Sequence, residues 1–195
     1  GDGDGDVDIN AALGGSGVLG LLDINADQVT IDSNIDALGI RVTAQTSIDI
    51  DGAAVLDING VDSYFESASI DDSNGGATII DSVTGGDMIF RGLANTNTIA
   101  IGDDANSDLD ISDAAVDMVQ SSVTNLEIGW DSAQVDAGGN NQTGAITVNG
   151  ASVTTNGGVV GESGTGVIFN ADLIIQADSA TVSVTDDIAS TGIVQ

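Results

Sequence analysis

The tetrapeptides Leu22-Asp23-Ile24-Asn25, Ile48-Asp49-Ile50-Asp51 and Leu56-Asp57-Ile58-Asn59 share one beat: apolar, polar, apolar, small polar. The beat returns at Val7-Asp8-Ile9-Asn10, Val29-Thr30-Ile31-Asp32, Ile40-Arg41-Val42-Thr43, Leu109-Asp110-Ile111-Ser112, Leu126-Glu127-Ile128-Gly129, Ile146-Thr147-Val148-Asn149 and Val182-Ser183-Val184-Thr185. Strict alternation over so few residues sends apolar side chains to one face of a short strand and polar ones to the other. Gly, Asn, Ser and Asp fill the intervals, and these are the residues that turn a chain. Short strands repeated in this way are the pattern of stacked coils.

Beat starts at Val7, Leu22, Ile40 and Leu56 are separated by steps of 15, 18 and 16 residues. Leu109, Leu126, Ile146 and Val167 then follow at steps of 17, 20 and 21. Second strands sit inside some steps, as at Val29 to Ile31. The irregular step predicts a right-handed parallel β-helix of about nine or ten coils, since left-handed β-helices keep a stricter hexapeptide count. An antiparallel β-sandwich is the alternative, because it also shows short strands at regular spacing. Residues 1–195 read as a single solenoid segment. A loop excursion is expected within 61–92, where the beat is weakest and the pairs Gly75-Gly76 and Gly85-Gly86 occur. Stacking Val7, Leu22, Ile40 and Leu56 would bring Asp8, Asp23, Arg41 and Asp57 into one outward ladder.

Hydrophobic residues make up 41% of the chain but aromatic ones only 3%, so its core must be aliphatic. No apolar run reaches the roughly 20 residues that span a bilayer, so membrane insertion is not expected. Two basic residues, Arg41 and Arg91, stand against 31 acidic ones, for a net charge of -29. All the acids but Glu66, Glu127 and Glu162 are Asp. Nucleic acid is not expected as a partner, since phosphate contacts need cations.

The segments Leu22–Asp32 and Gly144–Thr154, with their alternating strands and Gly, Ser and Asn corners, resemble the repeat regions of giant bacterial surface adhesins of the filamentous-haemagglutinin-like type. The resemblance covers nearly the whole chain. It implies export to the medium or cell surface, a right-handed β-helix, and a structural or adhesive role without catalytic residues. Expected partners are other copies or neighbouring repeats end to end, and glycans or host surfaces.

Without His or Cys there is no Ser-His-Asp triad, no Cys nucleophile and no ordinary zinc site. Without Lys there is no Schiff base. Carboxylate chemistry remains. A polysaccharide-acting β-helix enzyme would need two carboxyl groups about 5–9.5 Å apart, and a tail-spike-like receptor binder is a further alternative; the reading taken is non-enzymatic. Asp is also a good ligand for hard cations. Calcium is the one cofactor the sequence suggests, at Asp103, Asp104, Asp108, Asp110 and Asp113 around a turn, and at Asp2, Asp4 and Asp6 near the start. The latter stretch departs from an EF-hand loop, with Val7 in place of the turn glycine and Leu13 in place of the bidentate Glu. A solvated, solubilising surface explains the same aspartates.

Overall fold

A computed structural model describes residues 5–51, 53–73, 78–102, 107–149, 167–169, 171–177, 180–184 and 188–190. Strands take 49% of the chain and helix 3%, and every strand pair among the described residues is parallel. The protein is a parallel β-solenoid. Uniformly parallel pairing rules out the antiparallel sandwich, whose strands must alternate in direction.

Each coil visits three faces, here termed C, B and A in the order of travel. The chain begins on face A with β1 (Val7–Ile9), then runs through β2 (Leu19–Ile31) and β3 (Ile35–Ile50) as long strands that turn corners without breaking. Their pairing shifts register between Ala26 and Gln28, at the corner between faces B and A. The next coil breaks into three pieces, β4 (Val55–Ile58) on face C, β5 (Ser63–Glu66) on face B and β6 (Ser69–Asp71) on face A. β7 (Ile79–Asp81) and β8 (Met88–Arg91) continue faces C and B. Tyr64, Phe65 and Phe90, from the weakest part of the beat, therefore lie on strands of the stack.

Face A then receives two strands from one coil, β9 (Ile99–Gly102) and β10 (Leu109–Ile111), followed by a short helix α1 (Asp113–Asp117) capped by Ser112. β11 (Asn125–Ile128) returns to face B and β12 (Ile146–Asn149) to face A. Last come β13 (Val167–Phe169), β14 (Asp172–Ile175), β15 (Val182–Val184) and β16 (Ile188–Ser190); β13 and β16 form a separate pair.

Register converts the beat into columns. On face A, Val7, Val29, Ile48, Ile70, Ile111, Ile101, Val148 and Val184 stand one above another. Face B stacks Ile24, Val42, Phe65, Phe90, Ile128 and Ile175. Face C stacks Leu13, Ile35, Leu56, Ile80 and Val119. Most of these side chains are fully buried and belong to one continuous core.

Two expectations change. Val7 lies beside Val29 on face A and Leu56 beside Ile35 on face C, so only Leu22 and Ile40 share a column. The outward ladder therefore holds Asp23 next to Arg41, with Tyr64 rather than Asp57 on the other side. Spacing between beats cannot tell one face from another when a coil carries three. Chain order also fails on face A, where β10 lies between β6 and β9 although β9 comes first. Face A thus has one rung more between β6 and β12 than face B has between β5 and β11.

Phe65 and Phe90 replace aliphatic residues in the face B column and stack with ring centroids 5.8 Å apart. Phe90→Ala should cost about 3–5 kcal/mol, the usual loss for a buried aromatic. Denaturant unfolding checks this, with Val83→Ala, an exposed position, expected to change stability by less than about 0.5 kcal/mol.

Candidate functional site

On the outer side of face B, residues 129–144 leave the stack after β11 and fold back over earlier coils. Consecutive turns shape this strap: backbone bonds run from Gln134 N to Asp131 O, Ala137 N to Gln134 O and Asn140 N to Ala137 O. Asp136 sits at φ 56, a left-handed conformation that Asp tolerates better than most residues. The strap's ends are locked by Gln142, which is fully buried. Its Nε2 donates to Asn97 O at 2.7 Å and to Gly144 O at 3.0 Å, while its backbone N–H donates to Trp130 O at 2.8 Å. A Cβ on Gly144 would lie 2.0 Å from Asn97 O, so only glycine fits there.

Both arginines hold this strap. Arg91, 1% exposed, lies in register with Glu66 and donates from Nε to Glu66 Oε2 at 2.8 Å. Its Nη1 donates to Val135 O of the strap at 2.8 Å. The guanidinium is sandwiched between the rings of Tyr64 and Trp130, 4.2 Å from each centroid. Trp130 in turn donates from Nε1 to Gly92 O at 2.9 Å. Cation–π contacts on both faces and charge-assisted hydrogen bonds at the edge compensate for taking this cation out of water. Arg41 reaches the strap's tip, donating from Nη1 to Asp136 Oδ2 at 2.8 Å. The sequence carries a signal for this assembly: its single tryptophan, its single tyrosine and its two arginines all take part, yet their meeting depends on coil register.

Beside the strap, a cavity of about 270 Å³ is lined by Asp62, Asp87, Ile89, Glu127, Asp131 and Gln134, among others. Burial pushes the Glu127 carboxyl above its usual range; Asp87 and Asp131 add to the rise, and hydrogen bonds from Gln134 and Gln176 oppose it. Burial also raises Asp87, with Asp62 adding and Asn125 opposing. Two raised carboxyl groups thus line a single cavity.

The candidate calcium ligands are placed otherwise. Asp2, Asp4, Asp103 and Asp104 lie outside the described residues. Asp6 precedes β1. Asp108 accepts from Thr98 N and Thr98 Oγ1, both at 2.9 Å, and pins the start of β10 to the start of β9. Those bonds hold its carboxyl below the usual range. Asp110 points outward from β10 and accepts from Ser107 N at 3.3 Å, while Asp113 opens α1 just after its Ser112 cap. Among the described residues no three acidic groups converge as a metal site would require.

No family model, no curated protein and no solved structure matches this chain.

Arg91→Ala should destabilise the fold by about 3–5 kcal/mol, because it leaves Glu66 buried without its partner. Trp130, the only tryptophan, would report the loss of the strap as a red-shifted fluorescence emission. Arg41→Ala removes a pair whose acid is half exposed and should cost less than about 1 kcal/mol with emission unchanged.

A pH dependence follows from the cavity. Glu127 and Asp87 bind protons more tightly folded than unfolded, so they favour the folded state below their raised values and lose that contribution as pH rises through them. The protein should therefore melt higher at about pH 5 than at about pH 7. Glu127→Gln should flatten this difference and raise the melting temperature at neutral pH, as thermal scans at the two values would show.

Proposed function

We propose that this chain is a non-enzymatic structural segment of an exported bacterial surface protein, a solenoid spacer that associates end to end with further repeats or copies. The observation that carries the reading is the face A column, in which eight strands from Val7 to Val184 stack in register. An in-register parallel stack buries its core by coil-to-coil contact, so it extends by adding coils and leaves its sides free to face water. Aspartate on those sides suits a protein that must remain soluble as it lengthens. The resemblance of its strand and corner pattern to adhesin repeats supports export and a surface role.

Immunogold labelling of intact producing cells is the direct test. Label on the unpermeabilised surface or in shed filaments is the expected outcome, and label that appears only after permeabilisation would end the extracellular reading.

The cavity supports a second reading, a polysaccharide-acting β-helix enzyme with Glu127 and Asp87 as acid and base. Under it, reducing ends should accumulate when the protein meets a soluble polysaccharide, and Glu127→Gln should abolish the release. Absence of release across acidic and neutral polysaccharides would retire it.

A further inference from the structure

The outer side of face C differs from the other two. Asp36, Asp57 and Asp81 stand in register on three consecutive rungs. On face B the corresponding ladder alternates, with Arg41 between Asp23 and Tyr64. On face A, Asp8 is separated from Asp49 by Thr30, and only Asp49 and Asp71 are adjacent. Like charges on neighbouring strands repel, so an unbroken acid ladder is the least favourable of the three arrangements for the isolated chain. Burial pushes the Asp57 carboxyl up, and Asp81 and Asp36 on either side push it further.

Aliphatic side chains flank this ladder along both edges. Val55 and Ile79 pair on one side, half-buried. On the other side Leu38 is 45% exposed and Val83 77%, and with Val18 they line a shallow groove of about 460 Å³ that also includes Asp36 and Asp57. Leu21 and Val61 continue the edge, meeting across Gly39. Five of the six large apolar side chains most exposed among the described residues are thus gathered at one corner, on a molecule otherwise covered with carboxylates. A grouped apolar patch of this kind marks an interaction surface more often than scattered ones do.

The outward positions repeat every second residue, as in any strand: Val55 and Ile79 form one row, the aspartates the next, and Leu38 and Val83 the last, with Asn59 on the rung between them donating from Nδ2 to Asp36 Oδ1 at 3.0 Å. We infer that the outer side of face C docks an extended polypeptide segment of a partner whose alternate residues are aliphatic, basic and aliphatic, the basic side chain lying over Asp36, Asp57 and Asp81. Charge selects this occupant over a second copy of the chain, which brings only two cations, both already engaged with Glu66 and Asp136.

The probe is a labelled peptide repeating leucine, lysine and leucine at alternate positions with serine between, titrated with the full chain by fluorescence anisotropy. It should bind, and a peptide with glutamate in place of lysine should not. Leu38→Ser combined with Val83→Ser should weaken binding by about tenfold or more, since two exposed aliphatic contacts are lost. Asp57→Asn should weaken it several-fold, whereas Asp71→Asn, which removes the same charge from face A, should change it by less than about twofold. Both apolar positions are exposed, and circular dichroism would verify folding. Carbodiimide coupling of the unaltered protein gives a readout without substitutions: the activated carboxyl of Asp57 should form an amide with the lysine of the bound peptide, and that of Asp71 should not. Equal loss from Asp71→Asn, undiminished binding to the double variant, or equal coupling to both aspartates would reduce the effect to general attraction and overturn the proposal. Self-association abolished by the double variant would overturn it in favour of a second copy.

Discussion

Every other feature of this protein depends on the stacking of like side chains in register along a parallel ladder. An aliphatic side chain on one rung meets an aliphatic side chain of nearly the same shape on the next, so each coil buries the apolar surface its neighbour would otherwise expose. With 3% aromatic residues, the interior is filled by Ile, Val, Leu and Ala, which pack in well-defined rotamers. Parallel pairing supplies the backbone hydrogen bonds at the same time. Neither contribution is available to one coil alone, which explains how strands of three or four residues persist here.

The same register that aligns the core aligns the charges, and the three faces meet this constraint in different ways. Face B spends both cations: Arg41 interrupts the ladder above Asp23, and Arg91 lies in register with Glu66. Face A places Thr30, Ser69, Ala100, Thr147 and Ser183 among its aspartates. Face C leaves three carboxylates stacked. The difference is one of sequence, not of backbone, because the underlying rungs are alike.

The beats were legible because alternation has a physical cause at the level of a single strand. Leu22-Asp23-Ile24 or Leu126-Glu127-Ile128 can bury one face only as strands, and they do. The rung that each beat occupies is a different matter. Val7 faces Val29 because of where the corner between Ala26 and Gln28 falls, and nothing in either tetrapeptide states this. The inversion of β9 and β10 rests on Asp108 binding Thr98, a contact between turn residues ten apart whose types merely say that the chain bends. Asp108 thus drew attention as a possible cation ligand while its hydrogen bonds serve the crossover. Nothing in the sequence sets the strap apart from a corner, since Gly138, Gly139 and Asn140 resemble any other turn cluster.

Why the strap lies on face B follows from the cations. A segment carrying Asp136 finds on face B the Arg41 cation that pairs with it, which the aspartates of the other outer faces do not offer. Face B is where Arg41 and Arg91 reside, and Tyr64 beside them offers an aromatic face against which the guanidinium can rest. Trp130 closes that sandwich from the strap side, and Gln142 fixes both strap ends by hydrogen bonds to backbone carbonyls, which need no charge. In a chain with two basic side chains, the position of those cations decides which face the strap covers.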